Sequence, residues 1–168
     1  TFENQIAAQL VHLGEENGER WIVEDESRMI GSRAIPAPLF HSMRSSPVVL
    51  LEESLEVRTE NTLQEYILKT ALNRPGSQEA DDVRRGFETG IQQISRRLGG
   101  QLTQEVLQDL NSAKSPEDHR VWIRKLLERY YDVYYSRSLS KRNPKIEFRG
   151  NRKDVCAYLI DLQSITKR

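Results

Sequence analysis

Two short apolar runs, Trp21-Ile22-Val23 and Val48-Val49-Leu50-Leu51, each end abruptly in carboxylates, Glu24-Asp25-Glu26 after the first and Glu52-Glu53 after the second. Bounded by turn chemistry, such runs read as buried strands, the first over Arg20–Glu24, although a run this short does not by itself separate strand from helix. Between them Pro36 and Pro38 forbid regular pairing, and Pro38 suits the first turn of a short helix covering Leu39–Met43. Ser45-Ser46-Pro47 breaks that helix. A strand, a helix and a second strand make a βαβ-like unit and hence a parallel sheet. Open sheets of this class bind ligands at the carboxyl ends of their strands, where both acidic clusters would fall.

The rest of the chain reads as helices. Phe2, Ile6 and Leu10 recur at helical spacing in a segment expected to stop at Gly14, before a turn at Glu15-Glu16-Asn17-Gly18. Ser54 opens a long helix that carries Leu63, Tyr66 and Ile67 and ends before Asn73-Arg74-Pro75-Gly76. Ser77 caps another, with Glu79–Asp82 in its first turn, where carboxylates favour the helix dipole. A shorter helix carries Leu102, Val106 and Leu110. Ser115-Pro116-Glu117-Asp118 opens a helix through about Tyr135, and residues 136–145 read as a polar, proline-interrupted stretch. Ile146-Glu147-Phe148 is a candidate third strand, and Asn151 caps a last helix. The division expected is 1–72, the remainder of an α/β domain, and 73–168, a helical subdomain with a basic segment at 137–153.

Composition narrows the function classes. Charged residues at 30% and apolar residues at 37% suit a soluble, helix-rich protein. No run approaches a membrane span, and no signal peptide is evident, so no membrane partner is expected. The single cysteine, Cys156, excludes an internal disulfide and fits a reducing cytoplasm. Its apolar neighbours place it in the core. The chain opens on Thr1 rather than on an initiator methionine, as a piece of a longer polypeptide would. The formal net charge of zero conceals polarity: residues 1–65 carry 12 acids against 5 bases, and residues 137–168 carry 3 against 9. An anionic partner is expected at the C-terminal end.

Two candidate sites follow. In the first, Glu24, Asp25, Glu26, Ser27 and Arg28 form a ligand-binding or catalytic cluster at a strand end, joined by Arg58 after the second strand; the plainer alternative is an acidic loop with Arg28 as a local ion-pair partner. In the second, Arg137, Lys141, Arg142, Lys145, Arg149, Arg152 and Lys153, opposed only by Glu147, follow Tyr130, Tyr131, Tyr134 and Tyr135. Cations neutralise phosphates and exposed aromatics stack on unpaired bases, so this segment reads as a nucleic-acid surface. Its plainer alternative is a solvated basic loop beside tyrosines packed on a helix. His12, His41, His119 and Cys156 show no metal-ligand spacing. The chain contains no glycine-rich phosphate loop and no nucleophile elbow.

Phe2-Glu3-Asn4-Gln5, Trp21 to Gly31, Ile35-Pro36, Met43, Pro47, Leu51-Glu52, Glu56-Val57-Arg58 and Glu65-Tyr66-Ile67 together resemble the bacterial tRNA 2-selenouridine synthases. The resemblance is specific over residues 1–70 and looser beyond. It implies a partial P-loop NTPase-like parallel sheet followed by a mainly helical C-terminal subdomain. The implied parent protein carries an upstream rhodanese domain and a phosphate-binding loop, and it acts on the wobble 2-thiouridine in the anticodon region of certain tRNAs. It attaches a geranyl group from geranyl diphosphate to the sulfur and then installs selenium from selenophosphate. Under that reading Asp25, Glu26 and Arg28 are catalytic, and Glu24, Ser27 and Arg58 contact substrate. Magnesium is an admissible ion at the acids, this chain itself holding no cofactor. The chain alone is expected to be inactive without the phosphate loop, and Cys156 does not take the place of the rhodanese cysteine. The competing reading is a non-catalytic helical module that binds RNA or protein.

Overall fold

The computed structural model describes residues 2–17 and 21–166. Gly18 and Arg20, expected in a turn and at the start of a strand, lie outside the described residues. The chain divides into two compact units, one formed by Thr1–Glu52 with Asn143–Arg168 and the other by Glu53–Arg142. Along the chain, the helical unit is thus inserted between the two halves of the α/β unit. The boundary expected at 72/73 falls within its helices, because the C-terminal residues return to the sheet instead of extending the helical part.

In the first unit, α1 (Phe2–Asn17) runs through Gly14 instead of stopping there. A hairpin follows, β1 (Met29–Ile30) antiparallel to β2 (Arg33–Ala34), turned by Gly31 at φ +60 and Ser32. The left-handed backbone at Gly31 is one that a residue without Cβ adopts at little cost. Helix α2 (Ala37–Ser45) starts with Pro36 at its N-cap and Pro38 in its first turn. Strand β3 (Val48–Leu51) forms as expected, but its parallel partner is β4 (Ile146–Gly150), not Trp21–Glu24. Residues 21–27 carry no regular structure. Among the described residues no neighbouring strand takes up the Trp21–Val23 backbone, and an extended run without a ladder is not a strand.

The β3–β4 register sets Val48 against Ile146, Val49 against Phe148, Leu50 against Arg149 and Leu51 against Gly150. A shift between Val48 and Val49 leaves Glu147 unmatched. Gly150 closes β4 because the turn is tight: a Cβ there would meet Asp154 Cβ at 3.1 Å and Phe148 Cε1 at 3.2 Å. Asn151 then accepts the Asp154 N–H through Oδ1 at 3.1 Å and starts α9 (Arg152–Thr166). Phe148 stacks on Tyr158 of α9 with ring centroids 4.4 Å apart.

The second unit holds most of the core. Helices α3 (Leu55–Leu63), α4 (Gln78–Gln93), α5 (Ser95–Leu98), α6 (Gly100–Ser112) and α7 (His119–Leu126) pack around Leu63, Ile67, Leu72, Ile91, Val106, Leu110, Trp122 and Ile123, and α8 (Asp132–Arg142), which buries no residue, completes the unit. Ser54 and Ser77 cap α3 and α4, accepting the N–H groups of Val57 and Ala80. Ser115 and Asp118 form a reciprocal capping box ahead of α7. Two widened π-turns, Gln64–Leu68 and Leu127–Tyr131, follow α3 and α7. Beyond the second, α8 runs on to Arg142, so residues 136–142 are helix and not loop. Asn143 at φ 45 and then Pro144 end it. Ion pairs strap α3 to α7, Glu56 with Arg124 at 3.2 Å and Glu60 with Arg120.

The units differ in how much they bury. Among the described residues of the first unit, only Ile35 and Val155 are buried apolar side chains, while Trp21, Ile22, Val23, Leu51 and Ile160 stay exposed. A two-stranded sheet with one layer of helix cannot cover its own apolar surface.

Candidate functional site

The first unit contains a broad open groove of about 660 Å³. Its apolar lining is Trp21, Ile22 and Val23 from the irregular segment, Leu39 and Met43 from α2, Val48, Val49 and Leu51 from β3, and Val155, Leu159 and Leu162 from α9. Glu24, Asp25, Ser42, Ser46 and Glu147 supply the polar part of its lining.

The expected cluster is only partly brought together. Glu24 and Asp25 stand on the groove, and Asp25 pairs with Arg44 at 3.4 Å, Arg44 also lying 4.9 Å over the Phe40 ring. The Glu26 N–H donates to the Glu24 carbonyl at 2.9 Å, and a Glu26 carboxylate oxygen accepts the Ser27 N–H at 3.2 Å. Ser27 Oγ donates to the Met29 carbonyl at 2.7 Å, so this hydroxyl shapes the entry to the hairpin. Arg28 is exposed, and its carbonyl accepts the Ile35 N–H at 2.8 Å. Among the described residues no three histidine, cysteine, aspartate or glutamate side chains converge as a metal site.

Arg58 belongs to the other unit, in α3. It holds Asp132 with two parallel N–H···O bonds, the Nη2 one at 2.9 Å. The Asp132 carboxyl is held below its usual range, chiefly by the Arg58 hydrogen bond, and the Arg58 guanidinium is correspondingly raised. The bidentate pair accounts for Arg58 structurally.

The seven basic residues divide between the units. Arg137, Lys141 and Arg142 lie on α8, and Lys145, Arg149, Arg152 and Lys153 on the strand β4 and its surroundings. Arg149 pairs with Glu52 at 2.8 Å, joining the carboxyl ends of β4 and β3. Arg137, Lys141, Lys145, Arg152 and Lys153 are exposed, and Arg142 is half-buried. Cys156, expected in the core, is exposed: α9 turns Val155 inward, and the next residue is rotated about 100° away from that face. No described helix is long and apolar enough to cross a membrane. The sequence reading missed the apolar trough itself. Its signal was the same Trp21–Val23 run, which lines a groove instead of pairing in a sheet.

The family model for the tRNA 2-selenouridine synthase AAA domain matches residues 1–165. The chain belongs to that family. Similar proteins include a tRNA 2-selenouridine synthase of Bdellovibrio bacteriovorus, 35% identical over 96% of this chain and 48% of its own length. Others are those of Pseudomonas fluorescens, 33% identical over 94% of this chain and 46% of its own length, and Nitrosomonas europaea, 32% identical over 94% and 48%. The chain thus spans about half the length of the curated relatives it matches. No solved structure matches it. For this AAA-domain family member, the parallel sheet and mainly helical remainder agree with the fold expected from the sequence.

Proposed function

We propose that this chain is the AAA-domain part of an enzyme that converts wobble 2-thiouridine of tRNA to 2-selenouridine, through an S-geranylated intermediate. The observation that carries this reading is the family match over residues 1–165, together with relatives that bear the synthase name. The intact protein would use geranyl diphosphate to alkylate the thiouridine sulfur, with diphosphate leaving, and selenophosphate to replace the geranylthio group with selenium.

The groove and the charged surface support a division of labour. The groove beside β3 offers apolar side chains to a geranyl chain, and burying each methylene is worth about 0.8 kcal/mol. Glu24 and Asp25, which also line the groove, would act on the reacting end of such a chain. The exposed guanidinium of Arg28 is suited to meet a phosphate oxygen. This chain has no glycine-rich loop to cradle a diphosphate with backbone amides, so that cradle would come from an upstream phosphate-loop segment of the same protein, with the rhodanese domain beyond it. Without it, these 168 residues are expected not to turn over substrate. The basic residues of α8 in one unit, and separately those of β4 and α9 in the other, would offer positive charge to tRNA phosphates, in the cytoplasm.

The test is Asp25→Ala and Arg28→Ala in the intact protein that contains this chain. Selenium and geranyl transfer to tRNA should be lost while tRNA affinity is retained. Full activity in both variants would remove the acidic cluster from the chemistry.

A further inference from the structure

Tyr131, Tyr134 and Tyr135 lie within five residues and remain 41%, 51% and 66% exposed. Their neighbour Tyr130 differs from them, since it packs against the hydrophobic core. The rings hold one another. Tyr130 meets Tyr131 edge-on at 5.0 Å and stacks near Tyr134 at 6.5 Å, and Tyr134 meets Tyr135 edge-on at 6.0 Å. Such contacts fix ring orientation, and each of the three rings still keeps a large part of its surface open to solvent.

At about 100° per residue, Tyr131, Tyr134 and Tyr135 share one side of α8 and its approach with Ser138, Lys141 and Arg142. From Val133 to Lys145 the chain carries four cations and no carboxylate. Asp132, the acid just before, is already neutralised by Arg58. An aromatic surface continuous with positive charge complements a ligand that is both anionic and rich in π-faces, which describes unpaired nucleotides. A duplex would offer its phosphates but keep its base faces stacked inside.

We propose that Tyr131, Tyr134 and Tyr135 form a stacking platform for unpaired bases of a tRNA loop, with the exposed Lys141 following the phosphates. The proposal rests on the tRNA-modifying function above and adds to it which feature of tRNA this face takes. These tyrosines bind the RNA and take no part in the chemical steps.

The test compares binding of this chain to two RNAs at one salt concentration: an anticodon stem-loop, and the same stem closed by an abasic loop. Tyr134→Ala/Tyr135→Ala should bind the native loop about tenfold more weakly, since a stacked base is worth about 1–3 kcal/mol. It should bind the abasic loop as the unaltered chain does, and the salt dependence should keep its slope. Tyr134→Phe/Tyr135→Phe should bind like the unaltered chain, because a phenyl ring stacks equally. Circular dichroism and melting temperature confirm that the variants fold. If the unaltered chain binds the stem-loop and the alanine pair binds it equally well, stacking is refuted while the tRNA reading stands. If the unaltered chain binds neither RNA, both fall. If the alanine pair only changes the sedimentation of the chain, the face serves a protein contact and the proposal is overturned.

Discussion

Arg58 and Asp132, 74 positions apart, close on each other with two parallel hydrogen bonds and tie the start of α3 to the start of α8. A guanidinium engaged in this way is a brace, and Arg58→Lys cannot reproduce its fork. Both side chains are about one-third exposed, so solvent screening limits the pair to about 1 kcal/mol. Arg58→Lys and Arg58→Ala should each lower the urea midpoint by that order without changing the slope. No change would mean that the pair contributes nothing.

His119 is 3% exposed and accepts the Trp122 indole N–H on Nδ1 at 2.8 Å. Burial, and then the Arg84 charge, push its pKa below the ordinary 6.5, against a smaller pull from Asp118. The unfolded chain therefore takes up this proton first as pH falls. Stability is complete above 6.5 and declines as pH drops through that value toward the folded pKa. Melting temperature should fall between about pH 7 and pH 5, and His119→Asn, which keeps an acceptor, should flatten that part of the profile. An unchanged profile would assign the decline to other groups.

Gly150 has no room for a side chain beside Asp154 and Phe148. Gly150→Ala should cost about 1–3 kcal/mol through strain at the β4–α9 turn and disruption of the Phe148–Tyr158 stack. A thermal melt following the first unit checks it, and an unaltered melt would contradict the close approach.

Leu110 is fully buried within the helical unit, among Val106, Trp122 and their neighbours. Leu110→Ala should cost about 2–5 kcal/mol. By contrast, Ile160→Ala on the exposed side of α9 should change the denaturation midpoint little. Equal effects would contradict the division of burial between the units.

Local chemistry was readable along the chain. Ser54, Ser77 and Asn151 cap the helices their positions announced, and Val48–Leu51 forms its strand. What depended on partners was not. The apolar run Trp21–Val23 has strand composition and pairs with no described strand, while Ile146–Gly150, beyond the whole helical insertion in sequence, pairs with β3, a choice that side-chain pattern does not encode. The hairpin at Gly31-Ser32 carried a two-residue turn signal that the nearby prolines overshadowed. Helix α8 persists through Arg137, Lys141 and Arg142 because nothing in residues 136–142 breaks it before Asn143 and Pro144. At the site, the residue types Glu24 and Asp25 were legible, but the groove was not, since it is made by α2, β3 and α9 together.

The most direct measurement is the salt dependence of tRNA binding by this chain and by Arg137→Ala/Lys141→Ala/Lys153→Ala. If the basic residues meet phosphates, log affinity falls linearly with log salt, and the variant's slope is shallower by about 0.7–0.9 for each phosphate that is no longer neutralised. A slope identical in the two proteins, or affinity indifferent to salt, would contradict a tRNA-binding role for this domain.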